Sequence, residues 1–227
     1  MKKIEVCPST LRPGFSTYSP IAVRELFDGV EVSPFIDINF ENERDQQQAM
    51  ENMNNMSISG AQEKFSAIID DGKIRLAHKG EQATYILKPA PFNLSLSTRK
   101  QIPANEHLTM QIASQVYGIS TASNGLCFSS NGQPVYITKR FDVINGVKEI
   151  SQEDFATVLQ MTEEGNDSNF KYHGNYAQIA DAIRQFVPAW MPQMEQFFRM
   201  VVFDYLFANE DGDSTRDILT HRPLFLE

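Results

Sequence analysis

Apolar and polar positions alternate along several short segments in the first two thirds of the chain. Five short segments have the composition that is typical of β-strands: FSAIID (65–70), KIRLAHK (73–79), TYILK (84–88), NGLCF (124–128) and PVYITKRFDV (134–143). Between the first two, Asp71-Gly72 has the composition of a tight hairpin turn. The pattern therefore predicts a β-rich region.

One helix is predicted inside this region. The segment PANEHLTMQIASQVYG (103–118) opens with a proline, closes with a glycine and has Leu108, Ile112 and Val116 four residues apart. A second set of positions, Met110, Ala113 and Tyr117, follows Glu106 at helical spacing on another face. We expect that second face to point inward.

After Ser151 the apolar period becomes helical. Ser151, with Asp154 three residues on, resembles a helix N-cap that opens QEDFATVLQM. The segment YAQIADAIRQFV (176–187) has one apolar face, and MPQMEQFFRMVVFDYLFA (191–208) is apolar nearly all round. The last pattern predicts a helix that is buried on most sides.

Strands followed by helices indicate an α+β protein of two lobes. We assign residues 1–56, rich in turn-forming and polar residues, to an N-terminal extension or connector. Residues 57–147 are predicted to form a β-rich lobe, and residues 148–227 a helical lobe.

Composition narrows the classes of function. The net charge of −9 argues against direct nucleic-acid binding, which requires clustered Lys and Arg. Cys7 and Cys127 are widely spaced, which predicts free thiols. The most apolar run, 200–207, carries Asp204 and is too short to span a bilayer. We expect a soluble, cytoplasmic protein that does not enter a membrane.

Two charged residues are predicted to lie inside the β-rich lobe. Lys88 ends a strand whose two faces are both apolar, and Glu106 extends the inward face of the predicted helix. A buried ammonium without a partner is costly, so we expect the two to form an ion pair. The alternatives are that Lys88 extends its charge to solvent at the strand end, and that Glu106 only satisfies the helix dipole.

Two polar loops complete the candidate site. SISGAQEK (57–64) has small residues that let backbone amides approach an anion, although most such turns are only turns. ANEDGD (208–213) follows the apolar helix, which would hold Asp211 rigidly, as a catalytic aspartate requires. The alternative is a loop rich in Asn, Asp and Gly for turn reasons alone.

The ordered set SISGAQEK, YILKP, ANEHLTMQIA, ITKRFD, SQEDF and FANEDG resembles HipA-like serine/threonine protein kinases, the toxins of bacterial toxin–antitoxin modules. The likeness covers about residues 56–213. It implies a protein-kinase-like, two-lobe HipA fold with a β-rich N-lobe and a truncated helical C-lobe. It also implies ATP and Mg²⁺ as cofactors, an antitoxin of the same operon as partner, and aminoacyl-tRNA synthetases as substrates.

The resemblance also implies roles for individual residues. Autophosphorylation would occur at Ser57, with Ser59 as a second candidate. The residues implied in nucleotide binding are Ser59, Gly60, Ala61, Gln62, Glu63, Lys64, Lys88, Glu106, Lys139, Arg140 and Phe141. Of these, 59–64 would form the phosphate-binding loop, Lys88 would contact ATP, Glu106 would be the helix glutamate, and 139–141 would form the hinge near adenine. Asp211 would accept the proton of the substrate hydroxyl.

The sequence departs from the family pattern after Asp211-Gly212. The family continues with His, a variable residue, Lys and a metal-binding Asn, whereas this chain has DSTR (213–216). A later metal-binding Asp is absent before Glu227, so Asp213 and Asp217 are the remaining candidates for a Mg²⁺ ligand. A guanidinium cannot coordinate Mg²⁺, and we therefore expect phosphoryl transfer to be very weak or absent.

Three hypotheses remain open at this point. The chain is an ATP-dependent serine/threonine kinase of the HipA type, or a catalytically impaired remnant that binds nucleotide or antitoxin, or an unrelated α+β interaction domain. If the apolar helix lacks the packing partners it has in the family, its surface would favour a homo-oligomer.

Overall fold

The computed structural model describes residues 3–51, 63–92, 97–144, 146–148, 153–161, 175–207 and 218–219. The helices in these ranges are α1 (Pro20–Phe27), α2 (Glu43–Glu51), α3 (Ile102–Gln115), α4 (Phe155–Val158), α5 (Tyr176–Phe186) and α6 (Trp190–Phe207), and one 3-10 turn (Arg99–Gln101) precedes α3. The strands are β1 (Phe65–Asp70), β2 (Lys73–Leu76), β3 (Tyr85–Lys88), β4 (Asn124–Phe128), β5 (Pro134–Lys139), β6 (Val143–Ile144), β7 (Val147–Lys148), β8 (Glu153–Asp154) and β9 (Ile218–Leu219). The mixture of helix and sheet confirms the predicted α+β class.

Five strands form one antiparallel sheet in the order β2-β1-β3-β5-β4. Asp71 and Gly72 join β1 to β2 with positive φ angles of 46° and 70°, which suit a two-residue hairpin turn. β3 is the central strand, and this position explains why both of its faces are apolar in the sequence. Lys88 therefore lies at the end of the central strand, which has a neighbouring strand on each side.

The segment before residue 52 packs on this sheet. The amides of Leu126 and Phe128 in β4 donate to the carbonyls of Pro8 and Pro34 at 2.8 and 2.7 Å, so the outer edge of β4 is covered. This segment adds the following buried side chains to the core of the sheet: Cys7, Tyr18, Ala22, Leu26, Phe27, Val32, Ile36, Phe40 and Ala49. The interpretation of 1–56 as an extension or connector is thus corrected for residues 3–51. In α1 the buried Ala22, Leu26 and Phe27 do have helical spacing, but this helix has only eight residues and turn-forming residues surround it, so the sequence pattern did not reveal it.

The chain forms two compact units. The first comprises Met1–Gln111 and Ala122–Lys148, and the second Ile112–Thr121 and Glu149–Glu227. α3 begins in the first unit and ends in the second, and the first unit includes the residues before 57. The division between Lys148 and Glu149 lies one residue from the boundary that the sequence places at residue 148. Strands β6 and β7 form a small hairpin at the end of the first unit.

In the second unit, α5 begins with a full capping box. Asn175 Oδ1 accepts from the amide of Gln178 at 3.0 Å, and the Gln178 side chain accepts from the amide of Asn175 at 3.0 Å. The helix predicted from Ser151 is shorter in the structure, because β8 and β9 pair at 153–154 and α4 has four residues. Ser151 itself lies outside the described residues.

The prediction that the last long helix is buried on most sides is wrong. In α6, Phe197, Met200, Phe203 and Asp204 are buried. The large apolar side chains that α6 leaves exposed are Trp190, Met191, Phe198, Val202, Tyr205, Leu206 and Phe207. The apolar composition therefore predicted the helix correctly, but not how much of its surface is buried.

Two smaller expectations can be compared with the structure. Cys7 and Cys127 are both buried and free, as predicted. In the part of the chain that the structure describes, no helix combines the length and hydropathy needed to cross a bilayer.

Candidate functional site

The predicted ion pair between Lys88 and Glu106 is present. Lys88 Nζ lies 2.6 Å from Glu106 Oε1, and the two side chains are 13% and 19% exposed. β3 directs the lysine to this position, and α3, which starts at Ile102, presents the glutamate on its second turn. A mostly buried ammonium held by one carboxylate keeps N–H donors for an anion, because lysine carries three of them.

Tyr136 lies beside the ammonium group. It is the register partner of Lys88 on β5 and is 1% exposed, and its ring centroid is 5.3 Å from Lys88 Nζ. A cation over an aromatic face is stabilised by the ring quadrupole. No local pattern in the sequence indicates this residue, because only the register of β3 against β5 places the ring there.

The end of the predicted phosphate loop lies next to Lys88. Phe65 pairs with Leu87, so Lys64 immediately precedes and Lys88 immediately follows this pair. Glu63 Oε2 accepts a hydrogen bond from the amide of Phe92 at 3.3 Å. The other residues of the loop lie outside the described part of the chain: Ser57, Ser59, Gly60, Ala61 and Gln62. Their predicted roles stay predictions.

The predicted hinge residues lie at the opposite end of the same strand pair. Tyr85 pairs with Lys139, whereas Lys88 pairs with Tyr136, so the two positions are roughly 10 Å apart at about 3.3 Å per residue. The Lys139 side chain forms an ion pair with Asp28. The amide of Arg140 donates to the carbonyl of Thr84 at 2.9 Å, which ties this segment to the residue before β3.

The charged side chain of Arg140 is directed to a buried carboxylate. Its Nε and Nη2 donate to Asp142 at 2.9 and 2.6 Å, and the Asp142 side chain is 3% exposed. This bidentate pair fixes the segment after β5. Phe141, between the two, is partly buried.

The predicted catalytic and metal-binding aspartates, Asp211, Asp213 and Asp217, lie outside the described residues. Within the described ranges, no group of three or more His, Cys, Asp or Glu side chains is arranged to hold a metal ion. The described residues thus form one wall of a candidate anion site, made of Lys88, Glu106 and Tyr136.

Lys88, Glu106 and Tyr136 all lie in a region of the chain that resembles known proteins. Residues 56–213 match the family model of the HipA-like C-terminal domain. A candidate kinase of Haemophilus influenzae is 30% identical over 164 residues, which cover 69% of this chain and 45% of that protein. The candidate kinase Y4mE of Sinorhizobium fredii is 31% identical over 113 residues, which cover 48% of this chain and 25% of that protein.

One solved structure gives the corresponding likeness in three dimensions. It is the complex of HipA with HipB and operator DNA from a toxin–antitoxin system of Shewanella oneidensis. The TM-score is 0.51 at 16% identity, with 79% of this chain and 47% of that chain covered. At this identity the likeness shows the fold. The chain spans less than half the length of each of these three proteins.

Proposed function

The chain belongs to the family of HipA-like C-terminal domains, and on that premise we propose that it provides the ATP-binding wall of a HipA-type serine/threonine protein kinase. The Lys88–Glu106 ion pair at 2.6 Å is the observation that carries this proposal. In protein kinases a strand lysine held by a helix glutamate contacts the phosphates of ATP. The family match also overturns the hypothesis of an unrelated α+β interaction domain.

In the proposed site, each described residue has one task. Lys88 donates to the α and β phosphates, and Glu106 keeps its ammonium group in place. The backbone around residues 139–141 lines the adenine end, about 10 Å along the same strand pair. ATP, bound with Mg²⁺, supplies the phosphoryl group that is transferred. We further propose Ser59–Lys64 as the phosphate loop and Asp211 as the proton acceptor.

The proposed biological setting follows from the family. The HipA of Shewanella oneidensis is described in complex with HipB. By analogy, we propose that this chain acts as the toxin component of a toxin–antitoxin system and binds an antitoxin protein. Aminoacyl-tRNA synthetases are the proposed class of substrate.

A second candidate function is favoured by one feature of the sequence. The residues after Gly212 are DSTR, where the family has a metal-binding Asn at the position of Arg216. A chain with a guanidinium at that position would bind nucleotide or antitoxin without efficient turnover, unless Asp213 or Asp217 holds Mg²⁺ instead. The impaired form would have the same nucleotide site as the active kinase and would lack only efficient phosphoryl transfer.

Nucleotide binding is tested first, with the 227-residue chain and Mg-ATP in a calorimetric titration. We expect the Lys88→Ala variant to lose the binding heat. Lys73→Ala serves as the matched control, because Lys73 also lies on the sheet but its side chain is 67% exposed and pairs with Asp37. Equal binding by Lys88→Ala and Lys73→Ala would place the nucleotide elsewhere.

Turnover is tested separately. The purified chain is incubated with labelled ATP and Mg²⁺, and the 57–64 peptide is analysed by mass spectrometry for phosphate on Ser57 and Ser59. Phosphorylation that disappears in Asp211→Asn supports the kinase. Nucleotide binding without any phosphorylation supports the impaired form.

A further inference from the structure

A buried polar cluster lies on α3, one residue beyond Glu106. His107 is 1% exposed, and its Nδ1 lies 2.9 Å from Oδ1 of Asn124 on β4. Gln111, one turn further along α3, donates to the same oxygen at 3.0 Å. We call these three residues the α3–β4 clamp, because they join the helix to the last strand of the sheet.

The hydrogen bonds around Asn124 determine which nitrogen of His107 carries the proton. Asn124 Nδ2 donates to the carbonyl of Ala122 at 2.7 Å, so Asn124 Oδ1 is the end that faces the histidine. An amide oxygen only accepts, and His107 Nδ1 must therefore donate. Burial lowers the pKa of His107, which keeps the ring neutral. In the described part of the chain, no donor reaches His107 Nε2.

The backbone of β4 is also held in place at this point. The hydroxyl of Ser9 donates to the carbonyl of Asn124 at 2.8 Å, and both residues are buried. Asn124 is thus fixed through its side chain and its main chain. Its Oδ1 is therefore a buried hydrogen-bond acceptor with a fixed position for the side chains of α3.

Glu106 and His107 attach the helix to two different strands. Glu106 contacts Lys88 on β3, and His107 contacts Asn124 on β4, while β5 lies between these strands. Successive residues of an α-helix point about 100° apart, so one turn can reach both strands. A helix anchored in this way cannot rotate about its axis without breaking one of the two contacts.

Apolar packing of this part of α3 is limited. The buried apolar residues are Pro103, Met110 and Ala113, none of which is large and branched, and Leu108 on the opposite face is 46% exposed. Methionine is flexible and specifies a helix orientation less sharply than a branched side chain. The directional hydrogen bonds of the clamp supply the orientation that packing alone leaves open.

We propose that His107 is a positioning residue, which fixes the rotation of α3 through Asn124 and thereby holds Glu106 on Lys88. This inference rests on the proposed function, since the arrangement that is held is the one that would bind the nucleotide phosphates. His107 itself does not reach the candidate site. It acts through the helix that it shares with Glu106.

The test compares His107→Asn with His107→Leu in the 227-residue chain. The two replacements have similar size, but only asparagine places an N–H donor near the position of Nδ1. We expect His107→Leu to weaken Mg-ATP binding roughly fivefold and His107→Asn to stay within about twofold of the unmodified chain. Leu108→Ala, on the exposed face of α3, is the control and should bind as the unmodified chain does.

The decisive step repeats the pair in a Glu106→Gln background. If His107 acts through Glu106, the difference between the leucine and asparagine variants disappears there. A difference of the same size in both backgrounds, or equal binding by both variants from the start, would overturn the proposal.

Thermal unfolding without nucleotide separates this inference from the proposed function. We expect Glu106→Gln to lower the melting temperature less in the His107→Leu background than in the unmodified chain, because the ion pair is already loosened there. Simply additive shifts would overturn the positioning role. If the unmodified chain bound no Mg-ATP, the proposed function would fail, while coupled shifts would still uphold the clamp.

Discussion

The two units of the chain differ in how completely they bury large apolar side chains. In the first unit, none of the large exposed apolar residues lies in the strands β1–β5. In the second unit, α6 alone exposes seven of them, among which Tyr205 is 86% and Phe198 66% exposed. The first unit thus buries the apolar positions of its sheet, and α6 carries more apolar surface than its surroundings cover.

The exposed side chains of α6 are not scattered. Met191, Phe198, Val202 and Tyr205 follow one another at spacings of seven, four and three residues, which places them on one face of the helix. The strand edge of β4 shows the opposite case, since the segment around residues 34–38 covers it. Hydrophobicity along a sequence therefore predicts an element, whereas burial depends on what else the chain packs against it.

The largest effect is expected in the core of the first unit. Phe65 is 1% exposed, and its ring packs against Phe40 and Phe92 at centroid distances of 5.2 and 6.1 Å. We expect Phe65→Ala to lower the free energy of unfolding by about 3–5 kcal/mol, because it opens a cavity in this aromatic cluster. Chemical denaturation monitored by circular dichroism would measure the change.

A matched phenylalanine in the second unit gives the control. Phe186 is 55% exposed, so Phe186→Ala should change the free energy of unfolding by no more than about 0.5 kcal/mol. Equal losses of stability for the two variants would contradict the difference in burial between the two units.

Much of the sheet could be predicted from the sequence. The segments 65–70 and 124–128 have the limits of β1 and β4, because short apolar runs bounded by turn-forming residues are a local signal of a strand. The orientation of α3 was predicted in part. Met110 and Ala113 are buried as expected and Glu106 is mostly buried, but Tyr117, predicted on the same inward face, is 46% exposed. Leu108, whose spacing suggested the helix, is also exposed.

The Lys88–Glu106 pair was predictable because both residues are charged at positions where the pattern requires burial. Tyr136 and the α3–β4 clamp were not. His107 and Asn124 are separated by 17 residues, and each looks ordinary in its own segment. Contacts of this kind depend on strand register and helix rotation, which no local period encodes.

The polar interior of the first unit gives the second prediction. Burial lowers the pKa of His107 below its ordinary value of 6.5, and Glu106, its neighbour along α3, is already paired with Lys88. As the pH falls below about 6.5, the unfolded chain binds a proton at this histidine while the folded chain does not. The folded state therefore loses stability between pH 6.5 and the lowered pKa, by at most about 1.4 kcal/mol for each pH unit.

This contribution is measured as a difference between two proteins. Urea unfolding of the unmodified chain and of His107→Leu at pH 7.5, 6.5 and 5.5 removes the effect of all other titrating groups that the two share. We expect the advantage of the unmodified chain to shrink as the pH falls. An advantage that is constant or grows toward pH 5.5 would contradict a buried neutral histidine.

The smallest effect on stability is expected on the exposed face of α6. Phe198 and Tyr205 make little buried contact, so we expect the double variant Phe198→Ser, Tyr205→Ser to unfold within about 0.5 kcal/mol of the unmodified chain. If this face mediates the predicted homo-oligomer, sedimentation velocity will show that the double variant loses a concentration-dependent larger species. Val147→Ser, an exposed apolar position of the first unit, is the control for the general effect of adding a hydroxyl. At a protein concentration where the unmodified chain sediments as a monomer, a large loss of stability in the double variant would mean that the face is buried within a single chain, and the contrast between the two units would then disappear.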